Sequence, residues 1–487
     1  MSDLPNVLLV ILDSARAKNM GVYGYDRETT PFLDGFAEAA TLYQQPRSPS
    51  IHSIASHVSM FTGYHVEEHR AIHHDSQIDL EETIWRELSG DHDYSTGLFT
   101  PNRIISHASN LAEAFEFTEI ADVQTSHKRR KKLFQDAYGP RDTKAHLSVF
   151  GNFQRSLKND QPLRSLCNCG WEGFRKLETK VKRIDDNKTI SGDRFIERFL
   201  EWEKDQSGQW AACLNLMDTH SPYLPDPQYN RWGDKSTLKM QNGKTIPSGD
   251  LLTGVRSWDE LRALEALYDG SIFQVDQQLK TLFNQLSEDD ELENTLVIVT
   301  SDHGEGFGER SRLTPEIKIP GHNWGIHEVL THVPLIVKYP GQKDGKSVSE
   351  TASLTNIPDV IRAVLSSSSE KDQFTKDDLV LSSTYRMLDK NTNKFPTIDN
   401  INNFTGPWRA VYENNKNGVK KYAQHKGQSV TVSIESPFEQ EVVEEHTPRP
   451  VNEIYDALHP AGIGEDNDSV GLTDELEDHL KDLGYIR

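Results

Sequence analysis

Residues 296–308 read L-V-I-V-T-S-D-H-G-E-G-F-G, and the first five decide the fold class. They form a short apolar, β-branched run, the pattern of a strand buried on both faces. The run stops at Ser301-Asp302-His303-Gly304, where the backbone must turn and a carboxylate stands beside an imidazole. In open α/β sheets, ligands bind outside the carboxyl ends of the strands. An Asp-His pair at such an end offers a hard oxygen and a borderline nitrogen to a divalent cation.

Three further segments place chemistry beside a strand in the same way. Residues 7–12 (V-L-L-V-I-L) stop at Asp13, with Arg16 close behind. Residues 210–216 lead into M-D-T-H-S-P-Y, which carries Asp218 and His220, and His322 precedes the T-H-V-P-L-I-V run at 331–337. If the strands are parallel neighbours, the first three termini share one edge of the sheet, and two acids and a histidine can meet there. Buried charges need partners, so a core role explains this clustering poorly.

An ester-cleaving site also needs a nucleophile. Ser53 is the candidate, with Ser50 and Ser56 as nearby competitors. It opens a helix predicted over 54–62 and closed by Gly63. Backbone N–H groups and the helix dipole there favour an anion or alkoxide, although serine at a helix start commonly acts only as a cap.

Outward from these motifs, helices are expected over 32–40, with Thr30 as cap and Pro31 at the first position, and over 84–88, 194–202 and 261–286. Further strands are expected at 95–100 and 331–339. Beyond a Ser-rich boundary at 366–372, runs at 379–384, 408–412, 420–425 and 429–434 read as an antiparallel sheet, and a last helix at 473–483. The expected fold is α/β: a large, mostly parallel or mixed sheet sandwiched by helices in residues 1–365, and a smaller C-terminal antiparallel-sheet subdomain in 366–487.

The 487 residues carry a net charge of −22, which argues against a general nucleic-acid binder. Residues 127–183 depart from this, with 15 Lys and Arg against 5 Asp and Glu, beginning at K-R-R-K-K (128–132). They read as a helical insertion at about 121–193, either simply solvated or attracting an anionic partner. Three cysteines, Cys167, Cys169 and Cys213, make neither a disulfide framework nor a zinc site. No apolar run approaches a membrane span, and the segment before residue 6 is too short for a signal peptide, so a cytoplasmic protein is expected.

The ordered motifs N-V-L-L-V-I-L-D (6–13), Y-G-Y (23–25), T-P-F-L-D (30–34), S-I-A-S-H-V-S-M-F-T-G (53–63), D-T-H-S-P-Y (218–223), residues 301–308 and H-V-P-L-I-V-K-Y-P-G (332–341) together resemble the sulfatase family of the alkaline-phosphatase superfamily. The ending L-G-Y-I (483–486) is similar too. The resemblance implies one divalent metal (Ca, Mg or Mn) on Asp13, Asp302 and His303, touched by the nucleophile Ser53. It implies that His220 and His322 contact the ester or its leaving oxygen, and that Arg16 follows the first metal Asp as in many prokaryotic members.

Two departures bear on the chemistry. Ser14 stands where the family carries a second Asp. The family's formylglycine motif, C/S-x-P-S-R, is here Ser53-Ile54-Ala55-Ser56-His57, without its Pro and Arg. Formylglycine at Ser53 is therefore not expected, and His57 either replaces the arginine's charge when protonated or merely packs. An unmodified serine suits in-line attack on phosphoryl groups, whereas sulfate release in the family uses formylglycine's second hydroxyl. The expectation is a metal-dependent hydrolase of a small anionic ester or a sulfated or phosphorylated glycan. The alternatives are a phosphodiesterase or phosphotransferase using Ser53, and a catalytically silent binding protein on this fold.

Overall fold

The computed structural model describes residues 4–120, 191–241, 243–366, 373–385, 404–416 and 418–464, and a few positions between 158 and 165. The chain divides into two compact units, Met1–Ile120 with Phe195–Arg487, and Ala121–Arg194. Most of the basic insertion, including residues 128–132, Cys167 and Cys169, lies outside the described residues. So do the helix expected at 473–483 and the ending at 483–486.

The larger unit is built on eight strands: β1 (Asn6–Leu12), β2 (Thr41–Arg47), β3 (Ser95–Thr100), β4 (Phe117–Ile120), β5 (Trp210–Leu216), β6 (Thr295–Thr300), β9 (Leu335–Lys338) and β10 (Lys346–Ser353). A two-stranded hairpin, β7 (Phe307–Arg310) with β8 (Lys318–Pro320), lies between β6 and β9 in the chain. The sheet order is β10-β2-β9-β6-β1-β5-β3-β4. Only β9 runs against its neighbours, β2 and β6; the other pairings are parallel. The sheet is therefore mixed and mostly parallel.

Side chains alternate across a strand, so an all-apolar strand must be covered on both faces. In β1, Val7, Leu9 and Ile11 enter one core, with Ile54, Val58 and Phe61 of the Ser53–Thr62 helix and Ile357, Val360 and Ile361 of the Ile357–Leu365 helix. Leu8, Val10 and Leu12 enter the other, with Leu267, Ile272, Leu279 and Leu282 of the Glu265–Glu288 helix. Each such burial contributes roughly 1.5–3 kcal/mol.

β1, β3, β5 and β6 fall where the apolar runs put them. The helix expected over 261–286 is broken at Leu264 into Trp258–Ala263 and Glu265–Glu288. The strand expected at 331–339 begins only at Leu335, preceded by a short helix, Glu328–Thr331. Pro334 has no N–H to give an interior ladder between β2 and β6.

A second sheet, β11 (Leu379–Thr384), β12 (Trp408–Asn415), β13 (Gly418–His425), β14 (Gln428–Ile434) and β15 (Gln440–Glu444), is antiparallel throughout. Its Val380, Trp408, Ala410 and Tyr412 pack against Ile319, Trp324, Ile326, Val329 and Leu330. The segment carrying His322 thus rests on the C-terminal sheet.

One buried ion pair joins the two. Lys421 Nζ lies 2.6 Å from Glu328 Oε1 and also donates to the Ile326 carbonyl, and both side chains are almost fully enclosed. Burial pushes the Glu328 carboxyl up, but the Lys421 ammonium outweighs it and holds the group at about 2, below its ordinary 4.5. A depressed carboxyl contributes stability that is present above the unfolded value and lost as pH falls through the folded one. Unfolding free energy should therefore decline between about pH 4.5 and 2. Lys421→Met should destabilise by about 3–5 kcal/mol, because a buried charge is left unpaired. Adding Glu328→Gln should recover most of that in denaturant titrations.

Candidate active site

Because β6, β1, β5 and β3 are parallel neighbours, their carboxyl ends line one edge of the sheet. Asp13 directly follows β1, and its N–H donates to the Leu216 carbonyl at 2.9 Å. Asp302 lies two residues beyond β6. Ser14 adopts a left-handed backbone (φ 66°), so that its N–H reaches Asp302 Oδ1 at 3.2 Å. Ser301 fixes both turns: its Oγ accepts from the Ala15 N–H (2.9 Å) and donates to the His303 carbonyl (2.7 Å).

Gly304 tightens the same turn. Its N–H donates to the Leu330 carbonyl at 2.8 Å, and a Cβ there would stand 2.0 Å from the Val329 carbonyl oxygen. Gly304→Ala must therefore displace the turn carrying Asp302 and His303. Misplacement by about 1 Å costs on the order of 10²-fold in rate. Activity and metal content should fall together by that order, with fluorescence-monitored unfolding still cooperative.

Carboxylate or imidazole ligand atoms of Asp13, Asp302 and His303 lie within 4.8 Å of one another, and all three side chains are buried. Burial, then the Asp302 charge, raises the Asp13 carboxyl, and burial pushes Asp302 up to about 6. Burial also lowers His303 to about 4, so near neutral pH it is uncharged, as a ligand must be. Its Nδ1–H donates to the Gly304 carbonyl at 3.0 Å, leaving the Nε2 lone pair inward. Asp302 Oδ2 is buried without a hydrogen-bond partner. Two hard oxygens, one of them this atom, and one neutral imidazole fit a divalent cation.

Ser53 is brought to this group. It is the first residue of its helix, whose cap position is His52, so its hydroxyl is not used as a cap. Instead Oγ–H is placed to donate to His303 Nε2 at 3.3 Å. Ser56, by contrast, turns its hydroxyl to the Ser50 carbonyl.

His57, one turn along, also joins the group but does not replace the missing arginine. Burial lowers it to about 4, so it carries no charge near neutral pH. Its Nδ1–H donates to the Ser53 carbonyl (2.8 Å), and Nε2 accepts from Asn215 Nδ2 (3.0 Å). His57 therefore braces the Ser53 backbone. The His322 ring lies 4.3 Å from that of His303 and 5.3 Å from that of His220, so the two expected histidines converge here.

Arg16 does not. Its guanidinium, itself fully buried, turns to the partly buried Glu265 and Glu309 (2.7 Å), to Asn19 and to the Glu305 carbonyl (2.9 Å). Burial would lower its pKa, but Glu309 and Glu265 raise it above the ordinary value, so its charge is spent inside the protein. Asp218 also leaves the group; its Oδ1 accepts from Gln274 (2.8 Å) and Gln278 (3.1 Å).

Three residues not singled out by sequence complete the surroundings. Asn102, just past β3, donates to Asp13 Oδ2 at 2.8 Å; the strand-edge argument applied to residues 95–100 would have found it. Asn215 is a polar residue inside the buried strand W-A-A-C-L-N-L, and such a group needs a partner. Glu305 lies within the opening stretch itself and accepts from His322 Nδ1–H at 2.9 Å.

The Sulfatase family model matches residues 5–366. An arylsulfatase of Clostridium perfringens is 24% identical over 381 residues, covering 72% of this chain and 73% of its own. Arylsulfatase K of Gallus gallus is 30% identical over 367 residues, covering 73% and 62%. Among solved structures, the phosphonate monoester hydrolase of Agrobacterium radiobacter superposes with a TM-score of 0.55 at 15% identity over 88% of each chain, a likeness of fold.

Proposed function

This chain belongs to the sulfatase family, a hydrolase acting on ester bonds, and we propose that it cleaves an anionic ester with unmodified Ser53 as nucleophile, favouring phosphoric over sulfuric esters. The observation that carries the reading is the Ser53 hydroxyl at a helix N-terminus, 3.3 Å from His303 Nε2 and beside the Asp13–Asp302–His303 group.

Asp13, Asp302 and His303 would hold the divalent cation, which when bound supplies positive charge for the developing alkoxide and the ester's oxygens. The residues themselves do the rest. Ser53 gives its hydroxyl proton to solvent water, and its oxygen then forms the Oγ–P bond while the ester P–O bond breaks in line. The leaving oxygen takes up a proton, a step assigned to His220 or His322. Water then cleaves the seryl ester and regenerates Ser53. The helix N-terminus stabilises the alkoxide, and His57 keeps the Ser53 backbone in place. The substrate class is a small anionic ester or a phosphorylated or sulfated glycan.

The replacement of the family's second Asp by Ser14 favours one competing reading, a silent binding protein. Metal analysis of the purified protein, with turnover of 4-nitrophenyl phosphate and 4-nitrophenyl sulfate, separates the two. The proposal expects stoichiometric metal and faster phosphate turnover. Metal-free protein that turns over neither ester, even after metal is added, would support the silent reading.

A further inference from the structure

We propose that Glu305 is a positioning residue for His322, its buried carboxylate fixing the imidazole so that Nε2 is presented to the reaction centre. This rests on the reading above, in which His322 meets the ester or its leaving oxygen. Glu305 Oε2 accepts from His322 Nδ1–H at 2.9 Å, and the two side chains are 3% and 10% exposed. An imidazole with one nitrogen held by a carboxylate keeps a single tautomer and ring orientation.

The backbone around the pair is fixed as well. Gly306 N–H donates to the Gly321 carbonyl (3.0 Å) and Gly321 N–H returns the bond to Gly306 (2.8 Å), so the turns bearing the two side chains are tied together. Gly321 has φ 56°, and a Cβ there would lie 2.9 Å from Glu305 Oε1; a bulkier residue would push the carboxylate off its partner. From below, Arg16 donates to the Glu305 carbonyl at 2.9 Å and is itself anchored by Glu265 and Glu309. The His322 ring so held lies 4.3 Å from that of His303.

The test is a double-mutant cycle with 4-nitrophenyl phosphate as probe and metal content measured on every variant. Loss of a carboxylate that orients a site histidine typically costs about 10–100-fold. Glu305→Ala should lower kcat by that order with KM and metal content nearly unchanged, and Glu305→Gln, which keeps an acceptor, should recover much of the loss. In a His322→Ala background, Glu305→Ala should have almost no further effect, since coupled residues are not additive. Full additivity, or a kcat loss that tracks metal loss, overturns the positioning role and leaves the proposed function intact. Wild-type kcat in His322→Ala alone removes the reading of His322 and this inference with it.

Discussion

Asp302→Asn is expected to abolish metal binding and turnover together while leaving the fold intact. The side chain is fully buried, its Oδ1 is held by the Ser14 N–H, and its Oδ2 has no hydrogen-bond partner. Asn keeps the shape and an oxygen for Ser14 but removes the charge that attracts a cation. Because Asp302 contributes a ligand atom of the candidate site directly, its loss should exceed the roughly 10–100-fold cost of an outer partner. Stability should move the other way in chelator-treated protein. Burial and the neighbouring carboxylate raise the Asp13 carboxyl, and burial raises that of Asp302, so the metal-free site is under charge strain. Metal-free Asp302→Asn should therefore unfold at the same or higher denaturant concentration than metal-free wild type. Full metal occupancy and activity in the variant would remove Asp302 from the site.

The second large effect is at Ser53. Ser53→Ala should eliminate turnover almost completely, because no other hydroxyl combines the helix N-terminus with contact to His303. Ser56 is committed elsewhere, its hydroxyl donating to the Ser50 carbonyl at 3.2 Å. Ser53→Thr should keep part of the activity, since the hydroxyl remains and only a methyl is added. Ser53→Cys should be poor with a hard cation, which prefers oxygen to thiolate. Metal content should stay near wild type in Ser53→Ala, which distinguishes loss of the nucleophile from loss of the site. Steady-state kinetics with an aryl phosphate, alongside metal analysis, reads both.

Much of this was legible in the chain, for a physical reason. Buried parallel strands must be apolar on both faces, so β1, β5 and β6 stand out as unbroken runs, and the polar residues that end them mark the functional edge. That rule singles out Asp13, Asp302 and His303, which the fold brings together, but equally Asp218, which it turns toward Gln274 and Gln278; Ser53 stood out only through its helix start and the resemblance. What the sequence hid was carried by mixed patterns. β2 contains Gln44, Gln45 and Pro46, yet lies inside the sheet, where Arg47 donates to Gln45 Oε1 (2.7 Å) and the Pro46 carbonyl (2.8 Å). β10 and β15 are largely exposed along parts of their length and so lack an apolar signature.

Side-chain direction was hidden too. Arg16 and His57 stand near the right places in the chain, but partners remote in sequence decide what each does. Glu265 and Glu309 draw Arg16 inward, and Asn215 on β5 occupies His57 Nε2. Spacing alone could not reveal either.

Mass spectrometry of the peptide carrying Ser53 decides whether the residue acts as encoded. Conversion of serine to formylglycine lowers the mass by about 2 Da, a covalent change that needs no structural interpretation. Active enzyme should show the unmodified serine mass and turn over aryl phosphate faster than aryl sulfate. Formylglycine at position 53, with aryl sulfate the faster substrate, would contradict it.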